Sequence, residues 1–128
     1  MPYNDVDRVN IEKMVRIFYA RVLKDDILSP FFIKALGDDL KNPKWYEHLN
    51  TLNNFWLMMM LGEKNYWGSP FPPHAFIGPL YPETYERWLK LFSEVTHELF
   101  IPEIADKFYS KAAILAEQFK ENLSDDDD

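Results

Sequence analysis

Three prolines, Pro43, Pro82 and Pro102, each head a stretch in which apolar residues recur every three or four positions. Proline fits the first helical turn, where its missing N–H has no intrahelical partner, and is excluded from helix interiors. These prolines therefore mark helix starts. Asn42 caps the helix that Pro43 opens, which is expected to run to Leu61 and stop at Gly62. Pro82 opens a helix to about Phe100, with Tyr85, Trp88, Phe92, Val95 and Leu99 inward. Pro102 opens the last, with Ile104, Phe108, Ala112, Leu115 and Phe119 inward. Their close succession predicts an antiparallel or strongly angled pair.

The same periodicity predicts a helix from about Asp7 to Leu23, with Ile11, Met14, Val15, Phe18 and Val22 on one stripe and Tyr19 at its edge. Ser29 before Pro30 reads as a cap for a short helix through Phe31, Phe32 and Ala35 that Gly37 ends. No segment alternates with period two, so the fold class is all-α. Residues 62–82 stand apart, with three of the four glycines and more than half of the prolines. They leave room for only about one turn of helix, around Pro73 to Phe76. A loop of that length inside a compact domain is usually functional. At 128 residues the chain is expected to be a single domain over 1–123, with 124–128 an acidic, disordered tail.

Charge and composition remove several functions. The formal net charge is −7, of which four charges lie on Asp125 to Asp128, and nucleic-acid binding rests on the opposite sign. The longest apolar run, Phe55 to Leu61, is seven residues, far short of the roughly 20 that span a bilayer. A soluble, cytoplasmic protein is expected. With no cysteine, disulfides, zinc–thiolate and iron–sulfur sites are excluded. No Gly-x-Ser-x-Gly elbow or phosphate-cradling glycine loop is present either. The paired acids Asp25-Asp26 and Asp38-Asp39 read as exposed charges at helix ends and connections. What remains unusual is 10 Phe, 7 Tyr and 4 Trp in so small a body.

Three histidines are the candidate chemical groups. His97 lies about 180° around its helix from Trp88 and is expected to face water. Glu94 and His97 have the Glu-x-x-His spacing of di-iron bundles, but the second such pair that this architecture needs is missing. His48 shares a face of about 60° with Leu52, Phe55 and Met59, with Trp56 adjacent. Spacing alone leaves it as either a satisfied core histidine or a ligand or gate. His74 follows Pro72-Pro73 between Phe71 and Phe76. Such a setting suits a neutral imidazole held to bind iron, and equally a loop histidine without a function.

Ile17-Phe18-Tyr19, then Asn54-Phe55-Trp56 followed by Leu61-Gly62-Glu63, the Pro73-His74 step and Arg87-Trp88-Leu89-Lys90-Leu91-Phe92 occur in an order and spacing that resembles the group III truncated haemoglobins of bacteria. The resemblance covers Ile11 to Leu123. Glycine pairs of other truncated globins are missing, as expected of this third group. The resemblance implies a two-over-two helical sandwich around haem b. His74 matches the proximal iron ligand, which leaves the sixth iron position for a diatomic gas. Tyr19 and Trp88 match the distal donors that hydrogen-bond bound ligand, and His48 the distal-helix histidine that can act as a gate. Phe32, Leu52, Phe55 and Trp56 match residues packing the distal side of the haem.

Two function classes follow from the resemblance: a reversible binder of oxygen, nitric oxide or carbon monoxide, and a haem enzyme for nitric oxide dioxygenation or peroxide reduction. The enzyme needs an external reductase, since no flavin motif fits in this length. A third class, a cofactor-free helical interaction module, is distinguished by failure to take up haem. Buried Tyr and Trp donors facing a ligand with partial negative charge favour tight holding over delivery.

Overall fold

A computed structural model describes residues 2–62 and 82–126, with side chains of the second segment from 83 through 117. It contains α1 (Arg8–Val22), α2 (Ser29–Leu36), α3 (Pro43–Leu61), α4 (Pro82–Leu99) and α5 (Pro102–Asp126). All three marker prolines open helices as expected. The expected turn around Pro73 to Phe76, His74 itself and the inward position of Phe119 lie outside the described residues and side chains. α5 takes in the first part of the acidic tail.

Local chemistry sets the ends. Asp7 adopts extended backbone and accepts from the Asn10 amide at 2.8 Å, which starts α1. Asn42 accepts from the Lys44 amide at 2.9 Å, and Gly62 ends α3 at φ +72, a conformation that costs glycine least. The start of α2 differs from expectation. Ser29 is already helical, the capping position is Leu28, and no side chain caps it there. Asp25 instead folds the preceding turn, its Oδ2 accepting from the Ile27 and Leu28 amides at 3.1 and 2.9 Å. A carboxylate four residues upstream has replaced the nearby hydroxyl.

α4 and α5 make the most extensive helix pair, α1 packs on α3, and α1 also packs on α4. Two pairs are thus joined through α1, whose stripe of Ile11, Met14, Val15, Phe18 and Val22 is buried throughout. Trp56 stacks on Phe92 at 5.1 Å and meets Phe108 at 5.6 Å, and Phe108 meets Phe100 at 5.0 Å. The N-terminal segment straps the α4–α5 junction, where the Tyr3 amide donates to the Leu99 carbonyl and Tyr3 accepts from the Ile101 amide. Among the described residues no helix is long and apolar enough to cross a membrane.

Candidate functional site

Four polar-tipped rings gather where α1, α2, α3 and α4 approach one another. α1 supplies Tyr19, which is 2% exposed and meets the Phe18 ring edge-on at 4.7 Å. Phe32 of α2 lies 5.6 Å from it. α3 supplies His48, 7% exposed and turned inward, its ring 5.7 Å from Tyr19 and nearly perpendicular to it. α4 supplies Trp88, 5% exposed, which meets Phe18 edge-on and lies parallel to Phe92.

Trp45, fully buried one turn before His48, is the fourth ring. It touches Tyr19 and His48 at 5.6 Å each and lies roughly parallel to Phe32. Its indole N–H donates to the Gly37 carbonyl at 2.7 Å, which fixes the ring against the end of α2. Sequence reasoning missed this residue, although the signal was present. Position 45 precedes His48 by three and extends the stripe of His48, Leu52 and Phe55 back by one turn.

The electrostatics follow from dryness. Burial pushes the Tyr19 phenol far above its ordinary value of 10.0, and the nearby Trp88 indole offsets this only in part. Tyr19 is therefore neutral and keeps its proton. Its hydroxyl can donate to an acceptor brought beside it. In such surroundings a donor meets little competition from water, so an acceptor with partial negative charge is held more strongly than in solvent.

The expected site residues do not all converge. Tyr19 is in direct contact with Phe32 and with His48, and Trp88 joins them through Phe18. Leu52 and Phe55 are buried on the His48 face of α3. Trp56 belongs to the stack with Phe92 and Phe108. His74 lies outside the described residues, so the described part of the site is the distal side of the expected arrangement. His97 is exposed, as expected, and bonds Asp106 at 2.9 Å while its Nδ1 approaches the Ser93 carbonyl. Among the described residues no group of three His, Asp or Glu could hold a metal ion. A groove of about 480 Å³ between α1 and α3, lined by Lys13, Arg16, Tyr46 and Leu49 among others, contains none of the expected site residues.

Asp25 was expected to be an exposed loop charge, and the structure corrects this. It is 8% exposed and receives the Arg87 guanidinium, with Nε at 2.8 Å and a second bond from the terminal nitrogen. Burial acts to raise its carboxyl, but the Arg87 bonds and the Leu28 and Ile27 amides outweigh burial and leave it below the ordinary carboxylate value. Asp25 and Arg87 are 62 residues apart, so spacing gave no hint of the pair.

The chain is 34% identical over 123 residues to the group 3 truncated haemoglobin ctb of Campylobacter jejuni, covering 96% of this chain and 95% of that protein. Its structure is similar to the crystal structure of a group III truncated haemoglobin from Campylobacter jejuni, with a TM-score of 0.85, 34% identity, and 96% and 95% of the two chains covered. No family model matches the chain.

Proposed function

We propose, from the premise that the chain belongs to the group III truncated haemoglobins and has their all-α fold, that it is a haem b protein that binds oxygen or another diatomic gas and holds it tightly. The observation that carries this reading is the buried pair Tyr19 and Trp88, two donors on apolar rings, with His48 against the same tyrosine. The donor set fits haem. It has apolar walls for a flat cofactor, from Phe32, Leu52 and Phe55, and polar tips for what that cofactor binds. When bound, haem supplies the iron that takes the gas and its redox chemistry.

The chain's own residues do the rest. His74 would be the residue that holds the iron, through an imidazole nitrogen. With haem bound, the Tyr19 hydroxyl and the Trp88 indole N–H would each be a donor to the held gas. Each such bond in a dry site is worth about 1.5 to 3 kcal/mol. At about 1.4 kcal/mol per tenfold, two of them slow escape by roughly 10² or more. His48 closes the pocket from the α3 side, and its burial against Tyr19 and Trp45 favours a gate at rest in the closed position.

Strong holding suits chemistry on a retained ligand better than delivery. It favours, as a second reading, nitric oxide dioxygenation or peroxide reduction with an external reductase, in the cytoplasm. The test has two stages. Adding haemin and recording absorption spectra of wild type and His74→Ala decides the cofactor. No uptake, or an unaltered ferrous spectrum in His74→Ala, overturns the reading and favours a cofactor-free interaction module. Oxygen dissociation from Tyr19→Phe and Trp88→Phe is then expected to accelerate by about tenfold or more each. Turnover with nitric oxide or peroxide under a reductant separates the enzyme from the binder.

A further inference from the structure

Asp25 links the end of α1 and the start of α2 to α4, whose Arg87 is 62 residues away in sequence. Its backbone closes the end of α1, the Asp25 amide donating to the Val22 carbonyl at 3.1 Å, and its own carbonyl accepts from the Ser29 amide of α2 at 2.9 Å. Its side chain accepts from the Ile27 and Leu28 amides, and also from Arg87 of α4. Tyr19 lies six residues before it on α1, Phe32 is one turn into α2, and Trp88 directly follows Arg87. Asp25 therefore joins, through its backbone and its side chain together, three of the four helices that meet around Tyr19.

Net stability is a weak explanation for such a pair. Taking a carboxylate and a guanidinium partly out of water costs about what their attraction returns, and apolar replacements of buried pairs are often neutral. Two guanidinium nitrogens instead converge on Oδ1 while Oδ2 is held by the Ile27 and Leu28 amides, which fixes the position of Arg87 in a way a single lysine nitrogen does not. A shift of one ångström in α4 against α1 would misplace the Trp88 indole relative to Tyr19, and hydrogen bonds weaken steeply with misalignment. Arg87 is two-thirds covered and its partner almost wholly so, which protects the geometry from water and salt.

We propose that Asp25, acting through Arg87, is a positioning residue for the ligand-holding site: it sets the register of α4 on α1 and so the placement of Trp88 relative to Tyr19. This rests on the reading that Tyr19 and Trp88 hold a bound gas. Asp26 supplies an internal control, since it carries the same charge one residue along and is exposed.

The test uses the full haem-loaded chain with Asp25→Asn, Arg87→Lys, Asp26→Asn, Tyr19→Phe and Trp88→Phe. Three quantities are read: oxygen dissociation, the carbon–oxygen stretching band of the carbon monoxide complex, and the Trp88 indole N–H resonance in that complex. Asp25→Asn and Arg87→Lys are expected to speed dissociation by about fivefold or more, shift the band and move the resonance, while Asp26→Asn changes none of them. In a Trp88→Phe background Asp25→Asn is expected to add less than about twofold, because the two act in series. A pair that only supports the fold would lower the melting temperature and leave all three quantities in place, which overturns the proposal. Arg87→Lys keeps the charge and guards against Asp25→Asn failing to fold. If Tyr19→Phe and Trp88→Phe leave dissociation unaltered, the ligand-holding reading itself has failed. If they accelerate it and the Asp25 and Arg87 variants do not, only the positioning role has.

Discussion

Two aromatic clusters lie within a few ångströms of each other and are built to different rules. Around Phe92, the rings of Trp56, Phe108 and Phe100 pack against one another, and Phe108 and Phe100 have no polar atom to satisfy. Around Tyr19, the rings of Trp45, His48 and Trp88 each carry a donor or acceptor, and those groups are buried too. Burying an apolar ring contributes stability in proportion to its area, whereas burying a polar tip costs free energy unless a partner is present. The first cluster is thus satisfied mainly by packing, and Trp88, parallel to Phe92, forms its border with the second. The second keeps polar tips in a dry site, a cost that a bound ligand able to accept from them would offset.

The largest expected effect falls in the first cluster. Phe108→Ala removes a fully buried ring and is expected to lower stability by about 3 to 5 kcal/mol, measured by chemical denaturation, while dissociation from the folded fraction stays at the wild-type rate. A large change in dissociation would mean that the clusters are not separable. Tyr19→Phe should show the reverse: faster dissociation by about tenfold or more, about 1.4 kcal/mol, with a smaller loss of stability than Phe108→Ala. Trp45→Phe keeps a ring against Tyr19 and His48 but loses the bond to the Gly37 carbonyl, for an expected loss of about 1 kcal/mol. If His48 is held by Trp45, this variant should also speed ligand entry.

The smallest effect lies outside both clusters. The bond to Asp106, helped by the Ser93 carbonyl, raises His97 above its ordinary value of 6.5. A group raised on folding stabilises fully below its unfolded value and loses that contribution as pH rises through the folded value. Melting temperature should therefore fall slightly as pH rises from about 6.5 through the raised value. Asp106→Asn is expected to flatten that slope. Exposure and solvent screening keep such pairs to about 1 kcal/mol or less. A slope that survives Asp106→Asn would assign the effect to other groups.

How much of this was legible differs between the two clusters. Phe92 and Phe108 lie on helical stripes, so periodicity alone identified them as core. Tyr19 and Trp88 look like core by the same pattern, and only their order and spacing with Phe55-Trp56 and Pro73-His74 suggested more. Trp45 was readable from its place on the His48 face and was overlooked. Asp25 was not readable: a carboxylate after a helix end is most often exposed, and its partner is 62 residues away.

The sequence by itself determined the helices and their ends, because prolines, Asn42 and the glycines act on their own backbone within a turn. It also determined the faces, because a period of 3.6 residues is a local property. Tertiary structure alone decided that Asp25 rather than Ser29 organises the start of α2, that Trp56 joins the Phe92 stack, and that Trp88 meets Phe18 beside Tyr19. Each of these depends on which distant atoms come within hydrogen-bonding or van der Waals reach. Chain spacing does not encode that distance, and only the packed fold supplies it.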